Sequence, residues 1–326
     1  MKNQNVDRRR FLTTLAAGGL VAAVDLPAFG KDDPAVFPQR GSYERLTLSY
    51  CHIKAGATKP FSVLHISDTH LTSAYPSENL NRQRLALLRT RTFGGRQEEA
   101  LRDSLAWAKE NADFALHTGD LIDWQSEANF DQARAAYADI PVAAVGNHEY
   151  SPEMWMSKPK CTNDEAYKAL TGGELKKAFK DRDVSFAAKE FNGVVFVTID
   201  DVYGTVTEAQ VERFHAEAKK GLPIVLCMHV PFYTDAIWTA HEVFWKRVRG
   251  GKFAAAAVPE AIGEYAKQRS DATTRKFIEY LKAEPLLKGI LCGHLHIDVS
   301  DRFSPTAMEH VVGGNFLFHG RHVLFT

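Results

Sequence analysis

The sequence predicts an α/β fold whose β-sheets are covered by helices. Short apolar runs such as 61–66 and 194–199 do not alternate with polar residues, which is typical of strands buried on both faces. Segments with apolar residues at helical spacing, such as 97–112, lie between these runs, and this alternation indicates an α/β fold. Polar side chains follow several runs directly, at the strand ends where such folds collect their ligands.

The first half of the chain is assigned element by element from its apolar spacing. Residues 31–42 hold two prolines and mixed charge, and we interpret them as a linker. The polar, arginine-rich segment 72–95 is expected to contain a short helix over 84–89. The remaining pattern predicts strands over 44–51, 61–66, 113–117 and 141–145, and helices over 97–112 and 126–139.

The second half repeats the alternation after a less regular segment, 151–190, which contains two candidate helices. Thr207 and Gln210 have the spacing of a capping box that opens a helix reaching to about residue 220. The segment 231–270 is rich in aromatic and basic residues and is interpreted as a long excursion. The remaining pattern predicts strands over 194–199, 223–228 and 287–292, a helix over 273–283, and two short strands around Gly320 in the tail over 308–326.

The N-terminus has the features of an export signal. The sequence Arg8-Arg9-Arg10-Phe11-Leu12 precedes a short apolar run, and small residues follow near 28–30. This pattern resembles the bacterial twin-arginine signal, which directs folded precursors to the twin-arginine export machinery. The run is shorter than the roughly 20 residues of a spanning helix, so an uncleaved anchor ranks second. We expect a signal peptide over 1–30, a mature domain over 31–326 and a periplasmic or extracellular location.

Composition and charge are those of an ordinary soluble globular protein. The 40 basic and 40 acidic residues balance, so the net charge gives no sign of nucleic-acid binding. The four cysteines show no CxxC spacing, and Cys227 and Cys292 lie inside apolar runs, where inert buried thiols are expected. Cys51 and Cys161 could pair after export, although spacing alone does not establish a disulfide.

Five polar clusters each follow a predicted strand. A carboxylate and an imidazole two residues apart, as after 61–66, can hold one metal ion, although an ordinary polar loop is the simpler interpretation of that pair alone. Four further strands repeat the arrangement, which favours a shared metal site. The clusters are Asp68-Thr69-His70, Gly119-Asp120-Leu121-Ile122-Asp123, Gly146-Asn147-His148-Glu149, Met228-His229-Val230-Pro231 and Gly293-His294-Leu295-His296.

This ordered set resembles the calcineurin-like metallophosphoesterase superfamily over residues 61–298, with every motif position present. The resemblance implies a sandwich of two packed mixed β-sheets flanked by helices, and two metal ions bridged by Asp120. By this resemblance one ion takes Asp68, His70, Asp120 and His296, and the other takes Asp120, Asn147, His229 and His294. Carboxylate, amide and imidazole ligands without a thiolate suit Mn, Fe or Zn. The glycines before Asp120, Asn147 and His294 are expected to let the backbone turn sharply.

The resemblance also implies the reaction. A metal-bridging hydroxide attacks the phosphorus of a phosphate mono- or diester, and His148 protonates the leaving oxygen as general acid. In some members a carboxylate at the position of Asp123 orients this histidine. A loop carboxylate that pairs with an arginine is an equally weighted alternative for Asp123. Glu149 fits a structural loop contact at least as well as a catalytic role.

Further residues near the clusters receive secondary interpretations. His65 and His117 are expected to be core histidines or to support the ligands, and Asp200 and Asp298 are candidates to hold ligand imidazoles. A group of aromatic residues could shape the substrate pocket, although burial against the core is the more common role. They are Trp124, Tyr150, Trp155, Phe232, Tyr233, Trp238 and Trp245. Lys246, Arg247 and Arg249 could grip a distal phosphate or form a solvated basic face.

The leading hypothesis is an exported dinuclear-metal phosphoesterase acting on a small-molecule phosphate ester, with the mono- or diester preference left open. The alternative is a catalytically inactive metal-binding or interaction protein on the same fold. The presence of His148 and of every ligand position disfavours this alternative. A redox or oxygen-activating metalloprotein is also disfavoured, because it would not need the Gly-Asn-His-Glu loop.

Overall fold

The computed structural model describes residues 45–152, 164–180, 182–248 and 254–326. The predicted signal peptide lies outside them. The strands are β1 (Thr47–Ile53), β2 (Phe61–Ile66), β3 (Phe114–Thr118), β4 (Val142–Ala144), β5 (Phe186–Phe191), β6 (Val194–Ile199), β7 (Ile224–Cys227), β8 (Leu287–Cys292), β9 (Val299–Arg302), β10 (Met308–Val311) and β11 (His319–Phe325). The α-helices are α1 (Leu80–Thr92), α2 (Gln97–Asn111), α3 (Glu127–Asp139), α4 (Asp164–Thr171), α5 (Lys176–Phe179), α6 (Glu208–Ala218), α7 (Asp235–Val248), α8 (Ala254–Ser270) and α9 (Ala272–Ala283).

The strands form two mixed sheets. The first has the order β1-β11-β2-β3-β4, in which only the β11–β2 pair is antiparallel. The second has the order β5-β6-β7-β8-β10-β9, in which both edge strands are antiparallel to their neighbours. Strands β2, β3, β4, β7 and β8 are therefore each parallel to at least one neighbour, and the five polar clusters follow their carboxyl ends.

Apolar packing divides the structure into four layers. Phe61 and Phe325 of the first sheet pack with Phe196 of the second, so one part of the core lies between the two sheets. The outer face of the first sheet packs against α2 and α3, and that of the second packs against α6 and α9. This arrangement confirms the predicted sandwich of two mixed sheets flanked by helices. Among the residues described, no helix combines the length and apolarity needed to cross a membrane.

The predicted helix start at Thr207 is confirmed as a capping box. The Thr207 hydroxyl accepts from the Gln210 N–H, and the Gln210 side chain accepts from the Thr207 N–H. The two strands predicted for the tail are confirmed as β10 and β11, but Gly320 lies within β11 and not between the strands. A side chain there would crowd Leu48 and Leu64 at 3.2 and 3.1 Å, so this glycine serves close packing and not a turn. The polar edge strands β5 and β9 and the helices α7 and α8 were not predicted individually.

Candidate metal centre

The seven predicted ligand residues come together at one edge of the sandwich. The first sheet contributes residues that follow β2, β3 and β4, and the second contributes residues that follow β7 and β8. All are buried except His294 and His296, whose side chains are 10% and 17% exposed. The centre is thus open on the side of these two histidines. The residues are Asp68, His70, Asp120, Asn147, His229, His294 and His296.

The backbone at five of these residues is left-handed. The φ angles of Asp68, His70, Asp120, His294 and His296 lie between 51° and 69°. This conformation is uncommon for residues other than glycine, and it persists only where surrounding contacts hold it. The N–H groups of Asp68 and His70 donate to Gly119 and Asp120 carbonyls at 3.0 and 2.9 Å, which ties the loop after β2 to the loop after β3.

Two of the three motif glycines are required by close approach and not by a turn. A Cβ on Gly146 would overlap Asp120 Oδ1, and one on Gly293 would overlap Ser67 Oγ. Only Gly119, with a φ of 99°, has the backbone conformation that the expectation of a sharp turn requires. The loops therefore pack so closely around the carboxylates that no side chain fits at Gly146 or Gly293.

The first donor group consists of Asp68, His70 and His296, with Asp120 beside it. The Nε2 atoms of His70 and His296 lie 3.1 Å apart, and His296 Nε2 lies 3.2 Å from Asp68 Oδ1. Asp68 Oδ1 is buried and accepts no hydrogen bond, while Asp68 Oδ2 accepts the His294 N–H at 2.9 Å. An oxygen and two ring nitrogens thus converge within 3.9 Å of one another, which is an arrangement that a cation would satisfy.

The second donor group consists of Asn147, His229 and His294. His229 Nε2 lies 3.2 Å from Asn147 Oδ1, 3.2 Å from His294 Nδ1 and 3.3 Å from Asp120 Oδ2. The same Asp120 oxygen lies 3.8 Å from His70 Nε2 in the first group. Asp120 is therefore the only one of the seven residues with an oxygen facing both groups.

Hydrogen bonds on the outer side of three rings select which nitrogen faces the centre. His70 Nδ1 lies 3.0 Å from Asp123 Oδ1, His229 Nδ1 lies 2.7 Å from the Thr118 carbonyl, and His294 Nε2 lies 2.8 Å from Glu264 Oε2. Because these oxygens accept, the ring nitrogens that meet them carry the protons. When these rings are neutral, the nitrogens that face inward carry lone pairs, as metal ligands must. The donor types and their protonation thus fit Mn, Fe or Zn.

The carboxylates that hold these rings were only partly predicted. Asp298 pairs instead with Arg321, and Asp200 accepts from the Tyr150 hydroxyl at 2.8 Å and the Lys168 amine at 3.1 Å. The expectation that Asp200 or Asp298 holds a ligand imidazole was therefore wrong. Each of these carboxylates instead pairs with a basic side chain that is distant in the sequence, and no short-range pattern indicates such a pair. Asp123 and Glu264 take this role, and Glu264 comes from the excursion over 231–270.

Asp123 contacts both His148 and an arginine, so its two predicted alternatives coexist. Its Oδ1 lies 3.0 Å from Nδ1 of His148 and 3.0 Å from Nδ1 of His70. Arg89 of α1 donates to Asp123 through Nε at 2.6 Å and Nη2 at 2.8 Å. Burial works against an ionised Asp123, but these cationic partners hold the pKa of Asp123 well below its usual range. Arg89 was missed, because nothing distinguishes it from the other arginines of 72–95.

His148 is buried beside two carboxylates. Its Nε2 lies 4.0 Å from Asp120 Oδ2, and its Nδ1 also lies 2.8 Å from the Asp123 carbonyl. Burial disfavours the charged ring, but Asp120 and Asp123 outweigh burial and raise the pKa of His148 to about 9. Without a bound cation, the ring is therefore protonated at neutral pH.

Glu149 shapes the loop and does not face the donors. Its carboxylate accepts the backbone N–H groups of Gly146, Asp120 and Leu121 at 2.8, 2.9 and 2.7 Å. Burial, with Asp120 nearby, raises the pKa of Glu149 to about 7. These contacts support the structural interpretation of this residue. His117 likewise supports the loop after β2, with Nε2 3.0 Å from the Thr69 hydroxyl.

The aromatic residues around the centre differ from those predicted. Trp124, Tyr150 and Phe232 are buried in the core, which favours the packing interpretation for them. The ring of Phe93 instead stacks on that of His70, with the ring centroids 4.4 Å apart. The half-exposed ring of Phe316 contacts His296 edge-on, with the centroids 5.1 Å apart. Neither phenylalanine follows a strand of the motif set, so no sequence pattern indicates their place beside the centre. The predictions for Trp155, Cys161 and Arg249, and for the side chains of Trp245 and Lys246, fall outside the described residues.

Comparison with solved structures gives distant likenesses. A dimetal phosphatase from Danio rerio is 15% identical, with 78% of this chain and 88% of that chain covered and a TM-score of 0.44. Purple acid phosphatase PPD1 from yellow lupin seeds is 13% identical, with 80% and 45% covered and a TM-score of 0.41. Because both TM-scores lie below 0.5, neither likeness carries an argument about activity.

Comparison with known sequences gives a family. The search of curated proteins found no match to this chain. The model of the calcineurin-like phosphoesterase family matches residues 61–298, the segment over which the motifs were recognised. The chain therefore belongs to the calcineurin-like phosphoesterase family.

Proposed function

We propose that this chain is a dinuclear-metal enzyme that hydrolyses phosphate mono- or diesters. One observation carries the proposal: Asp120 Oδ2 faces both donor groups, 3.8 Å from His70 Nε2 and 3.3 Å from His229 Nε2. A single carboxylate oxygen shared by two groups of lone-pair donors supports a pair of neighbouring ions. Such pairs lie roughly 3.5–4 Å apart in hydrolases that act on phosphate esters.

The two donor groups would each hold one ion. When bound, the pair supplies an activated water at neutral pH and neutralises the charge of the phosphate. Manganese, iron and zinc all suit the carboxylate, amide and imidazole donors. The first ion would be held by Asp68, His70, Asp120 and His296, and the second by Asp120, Asn147, His229 and His294.

His148 is the proposed general acid. Asp123 holds its Nδ1 at 3.0 Å, which leaves Nε2 as the nitrogen directed toward the donors. A proton on Nε2 can pass to the leaving oxygen of the ester as the bond to phosphorus breaks. Asp123 acts here as a positioning residue, because it contacts His148 and His70 through their Nδ1 atoms and not through the nitrogens that face the donors.

Export remains part of the proposal. Residues 1–30 would direct the folded, metal-loaded precursor to the twin-arginine machinery, and 31–326 would form the mature periplasmic or extracellular domain. Replacing both Arg8 and Arg9 with lysine tests this directly. We expect the variant precursor to stay in the cytoplasmic fraction, whereas export of the variant at the wild-type level would overturn the assignment.

The activity is tested with chromogenic esters. Metal-free protein is reconstituted with Mn, Fe or Zn and assayed with p-nitrophenyl phosphate and bis(p-nitrophenyl) phosphate. We expect metal-dependent release of p-nitrophenol from at least one ester. His148→Asn should lose about 10²–10⁴-fold in kcat while its ions stay bound. If the loaded wild-type protein hydrolyses neither ester nor any member of a wider phosphate-ester panel, the inactive metal-binding alternative stands instead.

A further inference from the structure

Helix α8 contacts both chain segments that supply imidazoles to the second donor group. Glu264 Oε2 lies 2.8 Å from His294 Nε2, on the far side of the ring from the centre. Gln268, one turn later, donates to the Pro231 carbonyl at 3.0 Å and accepts the Tyr233 N–H at 3.1 Å, just after His229. Both side chains are 3% exposed. One face of α8 therefore holds the segments that carry His229 and His294.

The distance between α8 and the core is fixed by Gly204. A Cβ built at Gly204 would lie 2.7 Å from the carbonyl oxygen of Glu264 and 2.9 Å from the Cα of Glu264. The Glu264 backbone therefore packs directly against this glycine. The same loop contains Asp201, whose Oδ1 accepts the backbone N–H groups of His229 and Val230 at 3.0 and 3.2 Å. The loop after β6 thus joins α8 to the His229 segment.

The contact with Glu264 determines what His294 presents to the centre. A carboxylate accepts, so the proton of a neutral His294 ring lies on Nε2 and the lone pair lies on Nδ1. Nδ1 is the nitrogen that lies 3.2 Å from His229 Nε2. A ring without this partner can place its proton on Nδ1, where it blocks coordination. Carboxylate partners of ligand histidines also increase the basicity of the ring.

We infer that Glu264 is a positioning residue that fixes His294 in its ligating tautomer, so that α8 sets the affinity for the ion held by Asn147, His229 and His294. This inference rests on the proposed function, because it takes the second donor group to be a metal site. It assigns to the excursion over 231–270 a defined part in the centre. The family motifs, which end at the ligand residues, do not include this part.

The test measures ion binding and not turnover. The full mature chain, as wild type, Glu264→Ala, Glu264→Gln and His294→Ala, is titrated with Mn²⁺ and with Zn²⁺ by calorimetry, and ions per chain are counted after dialysis. Glu279→Gln is the matched control, because Glu279 is exposed on the neighbouring helix α9. Circular dichroism of the metal-free proteins checks that each variant folds. If Glu264→Ala does not fold, Glu264→Gln, which has the same shape, carries the test.

We expect wild type to bind two ions. Glu264→Ala should weaken one of them by about 10–100-fold and leave the other within about twofold. Glu264→Gln keeps an acceptor but not the charge, so its loss should be smaller, and Glu279→Gln should match wild type. Because Glu264 acts through His294, a double variant that combines Glu264→Ala with His294→Ala should bind the weakened ion no worse than His294→Ala alone.

Two results would overturn the inference alone, and a third would overturn the proposed function with it. If wild type binds two ions and Glu264→Ala binds both with unchanged affinity, Glu264 has no positioning role, although the dinuclear centre stands. If the losses in Glu264→Ala and His294→Ala add in the double variant, Glu264 acts independently of His294. If wild type binds no ions at all, both the inference and the proposed function are wrong.

Discussion

Arg89 holds Asp123 through two hydrogen bonds, 2.6 Å from Nε and 2.8 Å from Nη2, beneath the histidines of the centre. The same carboxylate lies 3.0 Å from Nδ1 of His70 and of His148. A residue of α1 thereby supports both a proposed ligand and the proposed acid. The orientation of these two imidazole rings therefore depends on the guanidinium of Arg89, which lies outside all five polar clusters.

Arg89→Ala should therefore damage both stability and activity. Asp123 would lose its strongest partner while 0% exposed, and removal of one member of a buried ion pair costs about 3–5 kcal/mol of unfolding free energy. We also expect kcat to fall about 10–100-fold, because the rings that Asp123 orients become less well fixed. Denaturant unfolding of metal-free protein and steady-state kinetics measure the two effects.

Arg102→Ala serves as the control for this prediction. Arg102 is 68% exposed and lies 3.6 Å from Asp103, and such surface pairs contribute about 0–1 kcal/mol. Equal losses of unfolding free energy and of kcat in Arg89→Ala and Arg102→Ala would show that the buried pair contributes no more than the exposed pair.

Gly293→Ala should disrupt the junction between the two sheets. Its Cβ would overlap Ser67 Oγ and lie 2.5 Å from Asp68 Oδ2, the atom that accepts the His294 N–H. The end of β8 would have to move away from β2, at a cost of about 1–3 kcal/mol, and the metal content should fall with it. Thermal unfolding and elemental analysis measure these changes.

Gly173→Ala is the comparison for Gly293→Ala. No atom lies within 4 Å of a Cβ built at Gly173, so this variant should keep its stability and its metal content. A Gly293→Ala protein that binds metal like Gly173→Ala would contradict the close approach described for this junction.

Glu309 should make stability depend on pH. Burial raises the pKa of Glu309 to about 8 in the folded protein, from an ordinary value of 4.5. Between these values the folded state binds the extra proton, so its contribution to the unfolding free energy falls as pH rises. Glu309→Gln removes this pH dependence. The unfolding free energy of the variant, relative to that of wild type, should therefore rise by about 1 kcal/mol per pH unit between the two pKa values.

Chemical denaturation of metal-free protein at pH 5, 6, 7 and 8 tests this prediction. Gln keeps an acceptor for the Phe232 N–H, which donates to Glu309 at 2.8 Å, so the two proteins differ mainly in charge. A difference between variant and wild type that stays constant from pH 5 to pH 8 would show that Glu309 does not titrate there. Glu279→Gln, at an exposed site, should show no trend.

Local patterns predicted the α/β fold and the convergence of the polar clusters, and the resemblance to the family implied the sandwich. Apolar runs such as β2 and β6 identify buried strands, and the residues that follow β2 and β3 must meet, since these strands are adjacent and parallel. The edge strand β5 was missed because its four central residues, Ala187 to Glu190, are exposed and lack an apolar pattern. Hydrogen bonds to β6 form β5, and pattern reading does not detect such bonds.

The supporting residues of the centre were missed for a related reason. Arg89 lies 34 residues from Asp123, and Glu264 lies 30 residues from His294, on helices that only the tertiary structure brings back to the centre. A motif identifies residues that face the ion, because their types and spacing are constrained by coordination. The residues behind them can come from any nearby helix with a suitable side chain, so their positions carry no short-range signature.

The central claim is that Asp120 joins two ion sites, and the most direct test is the number of ions bound by Asp120→Asn. Mn²⁺ is titrated into metal-free wild type and into the variant, and ions per chain are counted at saturation. The account predicts two ions for wild type and a weakening of both sites in Asp120→Asn, since the same oxygen faces both donor groups. Loss of one ion with the other bound at wild-type affinity, or full hydrolytic activity in metal-free wild type, would contradict it.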